Sequence, residues 1–352
     1  MLKNKKGITL VALVVTVVVL LILAGVSINL VLGNNGIIAK AQEAKTKQAE
    51  ASQNDLKDMN SLIGELESSL NENKFMTKNT EVTYPDGKVW IPEGFKISKD
   101  SASKVQDGVV IEDKDGNQFV WVPVATIADY KRTWYTAIHD DVEEYLEALP
   151  EDEKTSVERY KGFYIGRYEA GDKESTEAKT LRSSKDVTKT VTIKANQAPY
   201  NLVTGTQAVS LAEGFATRQG YKAKTKLVSS YAWDTTIEFI QKVNSDYGSS
   251  LEEGNYKDIA FSYTDITGAS KTKEKKSDVL VPTGQTTPVC NIYDMGGNVW
   301  ECTTETYKCS TRDYSSLTPR GGSCGAPLPA GFRWSNFDKA QYDIGFRVTL
   351  FM

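Results

Sequence analysis

The chain has 352 residues, 40% of them hydrophobic and 25% charged, with a formal net charge of −4. Basic and acidic residues are interspersed, so the sequence lacks the basic stripe that a nucleic-acid binder needs. A single histidine, His139, excludes sites built on several histidines, such as multi-histidine zinc or non-haem iron centres.

The chain opens MLKNKKGITLVALVV, with Lys3, Lys5 and Lys6 ahead of Gly7. From Ile8 to Leu32 there are 25 residues without a charge. As a helix, such a run crosses the ~30 Å hydrocarbon core of a bilayer with room to tilt. A cleavable signal peptide has an apolar core of only about 7–15 residues, so the run is read as a membrane span. Lysines on its N-terminal side hold that end in the cytoplasm and place the chain beyond residue 33 outside. GNNG at 33–36 signals a turn. A polar stalk helix comes next, with Ile38, Ala41, Ala49, Leu56, Met59, Leu62, Ile63, Leu66 and Leu70 at approximate helical spacing.

The lysine-rich leader, Gly7 and ITLVALVV resemble the N-terminus of type IV pilins and pseudopilins, the prepilin class. The resemblance implies a leader over 1–7 cut between Gly7 and Ile8, a transmembrane helix over 8–33 and the stalk over 34–72. It also implies other pilin-like subunits as partners in a pilus. In that family the fifth mature residue is a glutamate that pairs with a neighbouring subunit's N-terminus. Here it is Ala12. The registration supplied by a buried charge pair is missing, which weighs against assembly but leaves membrane anchoring untouched.

From about residue 80 the texture changes to short β-type runs divided by Gly, Asp, Asn and Pro: KVWIP (88–92), DGVVIEDKDGNQFVWVPV (107–124) and GFYIGRYEAG (162–171). TAIHDDVEEYLEALPEDEK (136–154) reads as an acidic surface helix carrying His139. SSYAWDTTIEFIQKVNSD (229–246) predicts a helix with Trp233, Ile237, Ile240 and Val243 on one face. The whole predicts an α+β domain over 80–352 with much irregular loop. Cys290, Cys302, Cys309 and Cys324 are separated by 11, 6 and 14 residues, without a CxxC pair. In an extracellular domain that leaves three complete disulfide pairings open, with buried thiols as the other reading.

Three C-terminal stretches carry the densest signal: NIYDMGGNVWECTTE (291–305), PRGGSC (319–324) and DIGFRVTL (343–350). Gly296 and Gly297 permit a tight turn, and Trp300 is a large apolar plug for a loop-rich core. Asp294 and Glu301 flank the turn and can hold a hard cation with help from turn carbonyls, or can hydrogen-bond the turn without metal. Arg320 and Arg347 begin and end a last hairpin-like region and read as partners for carboxylates, tying the terminal strand to the turn.

Together with FVWVPV and GFYIGRYEAG, these stretches resemble the formylglycine-generating-enzyme-like (sulfatase-modifying-factor) domain, a branch of the C-type-lectin-like fold, over roughly 85–352. The resemblance implies calcium held by Asp294, Gly297, Val299 and Glu301, the middle two through backbone oxygens. The family's oxidases bind copper with two cysteines after RGGS, the soft thiolate pair that Cu(I) requires. Those positions are Ala326 and Gly331 here, so copper and catalysis are not expected. Cys324 adjoins the motif without a partner at the family's spacing. What remains is a ligand-binding or adhesion head. In 325–343, Phe332, Arg333, Trp334, Asn336, Phe337, Gln341 and Tyr342 include the residue types that anchor binding surfaces, although Phe332 and Trp334 suit a core equally. That tail also resembles the variable region of proteins targeted by diversity-generating retroelements. The expected product is a single-pass cell-membrane protein with an extracellular head and a protein or glycan ligand, displayed on a pilus or on a fixed anchor.

Overall fold

The structure, a computed structural model, describes residues 6–32, 36–71, 74–133, 142–175, 182, 184–251, 254–309, 312–335 and 339–352. The chain divides into two units, residues 1–63 and 64–352.

The first unit holds α1 (Lys6–Leu32) and most of α2 (Ile37–Asn71). Within α1, Val11–Asn29 has a mean hydropathy of 3.1 and none of it is buried in the protein. Valine-rich helices are weak in water, but in a lipid phase the backbone must satisfy itself, which a helix does. Thr16 obeys the same rule, donating its hydroxyl to the Ala12 carbonyl at 2.8 Å. Helix α2 is polar and, over residues 37–60, largely solvent-exposed, with a Glu43–Lys47 pair one turn apart.

The second unit is an α+β body. β1 (Thr80–Tyr84) and β2 (Gly87–Ile91) form a hairpin. β3 (Lys96–Ile97), β4 (Val110–Glu112) and β5 (Gln118–Pro123) begin a six-stranded sheet. Asp113 shapes the β4–β5 turn by accepting the amides of Asp115 and Asn117. The acidic helix expected over 136–154 forms only from Glu151 on, and does not form over 142–150. β6 (Val142–Leu146) is a strand, and α3 (Glu151–Tyr160) starts only after Pro150. A residue that precedes proline is steered out of the helical region, and Val142 and Tyr145 gain burial against Tyr307 instead. His139 lies outside the described residues.

β7 (Gly162–Gly166) precedes a small sheet of β8 (Gly171–Asp172), β9 (Val191–Thr192) and β10 (Ala198–Pro199). Helix α4 (Gly205–Gln219) opens with a reciprocal cap between Thr204 and Gln207. β11 (Lys224–Leu227) leads to α5 (Ser230–Gln241), capped by Ser229. Trp233, Ile237 and Ile240 are buried as predicted, but the helix ends before Val243, which is exposed. β12 (Phe261–Thr264) and β13 (Ser270–Lys273) form an outlying hairpin. β14 (Trp300–Cys309) and β15 (Arg312–Arg320) form the longest one. β16 (Ile344–Phe346) then lies parallel to β14, and β17 (Val348–Phe351) inserts between β11 and β7. The hairpin expected between Arg320 and Arg347 is therefore a crossover: β15 pairs with β14, and the 321–343 segment carries the chain round to β16.

The six-stranded order is β11-β17-β7-β5-β4-β3. Alternate residues serve two cores. Ile111, Phe119, Trp121 and Tyr164 face one with Leu211 and Phe215 of α4; Val110, Val120, Val122 and Ile165 face the other with Trp233 and Ile237 of α5. Burial on both faces is why FVWV reads as a continuous apolar run.

Candidate functional site

The C-terminal stretches meet on one backbone knot. Gly297 has φ +78°, and a Cβ there would lie 2.6 Å from the Asn255 carbonyl oxygen. Gly321, at φ +93°, would bring a Cβ to 2.6 Å from the Met295 carbonyl oxygen. The two glycine-containing turns thus pack backbone on backbone, and the Gly297 amide donates to the Gly321 carbonyl at 2.7 Å.

Arg347, fully buried, binds this knot to the sheet. Its Nε and Nη2 donate to Glu301 Oε2 and Oε1 at 2.8 and 2.6 Å. Nη1 donates to the Gly166 carbonyl and Nη2 also to that of Tyr293, each at 2.8 Å. Burial works against its charge, but Glu301 more than offsets that and holds the proton more tightly than usual. The reading of Arg347 as a carboxylate partner that ties the terminal strand to the turn is what the geometry contains.

The two carboxylates among the four residues implied as calcium ligands already have partners within the protein. The Glu301 carboxylate lies on the Arg347 guanidinium. Asp294 accepts the Gly284 amide at 2.6 Å and the Thr286 hydroxyl at 2.7 Å. A third carboxyl, Glu169, is fully buried beside them, with Oε1 on the Asn298 amide and Oε2 unpartnered. Burial first, then Asp294 and Glu301, pushes its pKa well above the usual carboxylate range. The melting temperature of the full chain is accordingly expected to be the same in millimolar calcium and in EDTA. A calcium-dependent rise of several degrees would show that a shell forms by displacing Arg347.

A second buried charge network fixes the 321–335 segment. Arg320 donates to Asp234 Oδ1 at 2.6 Å and to the carbonyls of Gly331 and Phe332 at 3.0 and 3.2 Å. Arg333 donates to Asp234 Oδ2 at 2.6 Å and to Glu305 Oε2 at 2.8 Å. Glu305 also pairs with Arg132 at 2.8 Å, and Trp233 Nε1 donates to the Ala330 carbonyl at 2.9 Å. Beside this network Glu147 accepts the amide of Ser230 at 2.8 Å and the hydroxyls of Ser230 and Thr304. Burial pushes its pKa up from 4.5 to about 7 against those hydrogen bonds.

The structure separates the seven residues proposed as a binding face. Arg333 is 1% exposed and belongs to the buried network, so it is not a surface anchor. Trp334 is half-buried and stacks on Trp300 at 5.0 Å, and Phe332 lies 6.1 Å from the same ring. Gln341 is half-buried, its carbonyl accepting the Leu202 amide at 3.1 Å. Tyr342 is 41% exposed. Asn336 and Phe337 lie outside the described residues. Gly7 and Ile8, between which the leader is expected to be cut, fall in the first turn of α1.

Cys290, Cys302 and Cys324 are buried thiols in three separate apolar clusters, so no disulfide joins them. The Cys309 side chain lies outside the described residues. Its backbone is seven residues along β14 from Cys302, about 23 Å of strand, against a Cα limit of about 7 Å for a bridge. Burial pushes the thiols of Cys290 and Cys324 up to about 11 and 12, which makes them poor thiolates. Asp234, Glu305 and Glu147 do not stand out in the sequence. Only Asp234 carries a signal, at the start of a helix whose apolar face is buried.

No family model matches the chain, and no curated protein matches it. Among solved structures, one described as "Crystal Structure of CarF" is similar at a TM-score of 0.37 and 14% identity, over 55% of this chain and 87% of that one.

Proposed function

We propose that this is a membrane-anchored, pilin-like surface protein whose C-terminal body is a non-catalytic, lectin-like binding head on the outside of the cell. The observation that carries the reading is the uncharged helix over Val11–Asn29, flanked by Lys3, Lys5 and Lys6 on one side and by a polar helix on the other. Support for a formylglycine-generating-enzyme-like head is the meeting of its motif stretches around Arg347 and Gly297. Support for a non-catalytic head is Ala326 and Gly331 in place of the family's thiols. Both positions have backbone work instead: Ala326 accepts the Ser323 amide at 3.0 Å, and Gly331 donates to Gly248 at 2.9 Å. The binding face we assign is the described part of the crossover, 321–335 and 339–343, whose first stretch Arg320 and Arg333 hold in place, presenting Tyr342 with the half-buried rings of Phe332 and Trp334.

Ala12, where pilins carry glutamate, favours a second reading in which the anchor never polymerises. Shearing cells and identifying the chain's N-terminus in the released and membrane fractions by mass spectrometry separates the two. A chain that starts at Ile8 in the sheared fraction is the expected result for a processed fibre subunit. A chain starting at Met1 and confined to membranes establishes a fixed anchor. A soluble form that has lost residues 8–32 overturns anchoring altogether.

A further inference from the structure

The head has a second concave face, remote in sequence from the 321–343 crossover, where cations and an aromatic ring converge. A cleft of about 360 Å³ is lined by Lys78, Arg159 and Lys222, with Trp90 and Tyr160 as its apolar wall. Tyr160 packs edge-on against Trp90 at 5.4 Å, and Arg159 sits over the Tyr160 ring at 5.2 Å. Asn79 is locked in place: its Nδ2 donates to the Tyr160 hydroxyl at 3.2 Å, and its Oδ1 accepts the Glu93 amide at 3.0 Å. Among the described residues no carboxylate pairs with Lys78, Arg159 or Lys222. A neighbouring cleft of about 380 Å³ shares Lys222 and adds Lys224.

Part of this charge has a structural reason. Lys224 and Lys226 lie on β11, an edge strand, where lysine discourages pairing with another sheet. Arg159 stands in the last turn of α3, where a cation offsets the helix's partial charge. Neither reason covers Lys78 or Lys222, or the convergence of the three cations on a half-buried tryptophan.

We propose that this cleft binds an acidic oligosaccharide, a chain of carboxylated sugars. Guanidinium and ammonium groups take the carboxylates, and the indole of Trp90 takes the apolar C–H face of a sugar ring. Asn79 and Glu93 provide fixed groups for hydroxyls. Glu93 adds an acceptor for the hydroxyl donors that a sugar presents on every ring. This site does not depend on the anchor or on the crossover face.

The test is a calorimetric titration of the full chain in detergent with oligogalacturonate, with a neutral galactan oligomer and single-stranded DNA of matched length alongside. The expected result is saturable binding of the acidic sugar alone, weakened by salt. It should weaken about tenfold further in Lys222→Gln, whose melting temperature stays at the parent value, and in Arg159→Gln, whose melting temperature falls only slightly with the loss of the helix-end cation. Trp90→Phe, which keeps a ring in the wall, should bind more weakly than the parent but more tightly than Trp90→Ala. Absence of binding, equal binding of the neutral oligomer, tighter binding of DNA, or affinity indifferent to Arg159→Gln and Lys222→Gln each overturns the proposal.

Discussion

Arg347→Met is expected to destabilise the head by about 3–5 kcal/mol, the cost of leaving a buried charge without its partner, and so to unfold much of it near physiological temperature. Arg347 makes four hydrogen bonds from full burial, two to Glu301 and one each to the Gly166 and Tyr293 carbonyls. These reach β14, the end of β7 and the turn after Asn291. Methionine fills much of the volume but removes every donor. Glu301, 0% exposed, is then a bare carboxylate next to Asp294. Arg347→Lys does not rescue, because one ammonium cannot span acceptors in the plane of a guanidinium. Pairing Arg347→Met with Glu301→Leu should cost less than Arg347→Met alone, since the orphaned charge goes with its partner. Urea denaturation of the four chains measures this. A cost for Arg347→Met below about 0.5 kcal/mol, the range of ordinary surface changes, would show that the knot is held by packing alone.

The sequence is most legible where a local pattern and the final burial coincide. FVWV and GFYIG read as strands because consecutive residues enter two cores, and SSYAWDTTIEFIQ reads as a helix because Trp233, Ile237 and Ile240 share one buried face. The failures have a common cause in long-range pairing. EEYL looks helical by composition, yet it becomes a strand because β14 offers it a partner and Tyr307 a contact. The site divides along the same line. Arg320 and Arg347 can be assigned to carboxylates from their motifs. Which carboxylates cannot be read, because Asp234 and Glu305 look like ordinary surface acids until the chain folds. Arg333 reads as a binding-surface residue for the same reason: arginine is typical both of interfaces and of buried bidentate pairs, and only the positions of Asp234 and Glu305 decide between them.

Glu147→Gln is expected to make the head more stable at pH 8 and to leave it nearly unchanged at pH 4.5. Glu147 is half-buried between β6, β14 and the start of α5, and among the described residues no cation pairs with its carboxylate. Arg132 donates instead to Glu305 and to the backbone carbonyls of Tyr145 and Glu147, the last two at 2.8 and 3.3 Å. Burial raises the carboxyl pKa from 4.5 to about 7, so the folded chain binds this proton more tightly than the unfolded chain does. Stability from this group is therefore complete below about pH 4.5 and is lost as pH rises to about 7, where the penalty levels off. At about 1.4 kcal/mol per pKa unit the loss is about 3 kcal/mol. Other buried carboxyls titrate as well, including Asp343 and Asp294, whose pKa values burial also raises. The useful quantity is thus the difference between the parent and Glu147→Gln at each pH, in which groups that do not contact Glu147 cancel. Glutamine retains an oxygen for the Ser230 and Thr304 hydroxyls, so the difference reports the charge and not the shape. A difference that grows between pH 4.5 and 7 and is flat above identifies Glu147 as the titrating group. A flat difference throughout, or one of opposite sign, would mean that the Ser230 and Thr304 hydrogen bonds keep the carboxylate ionised in the fold at no cost.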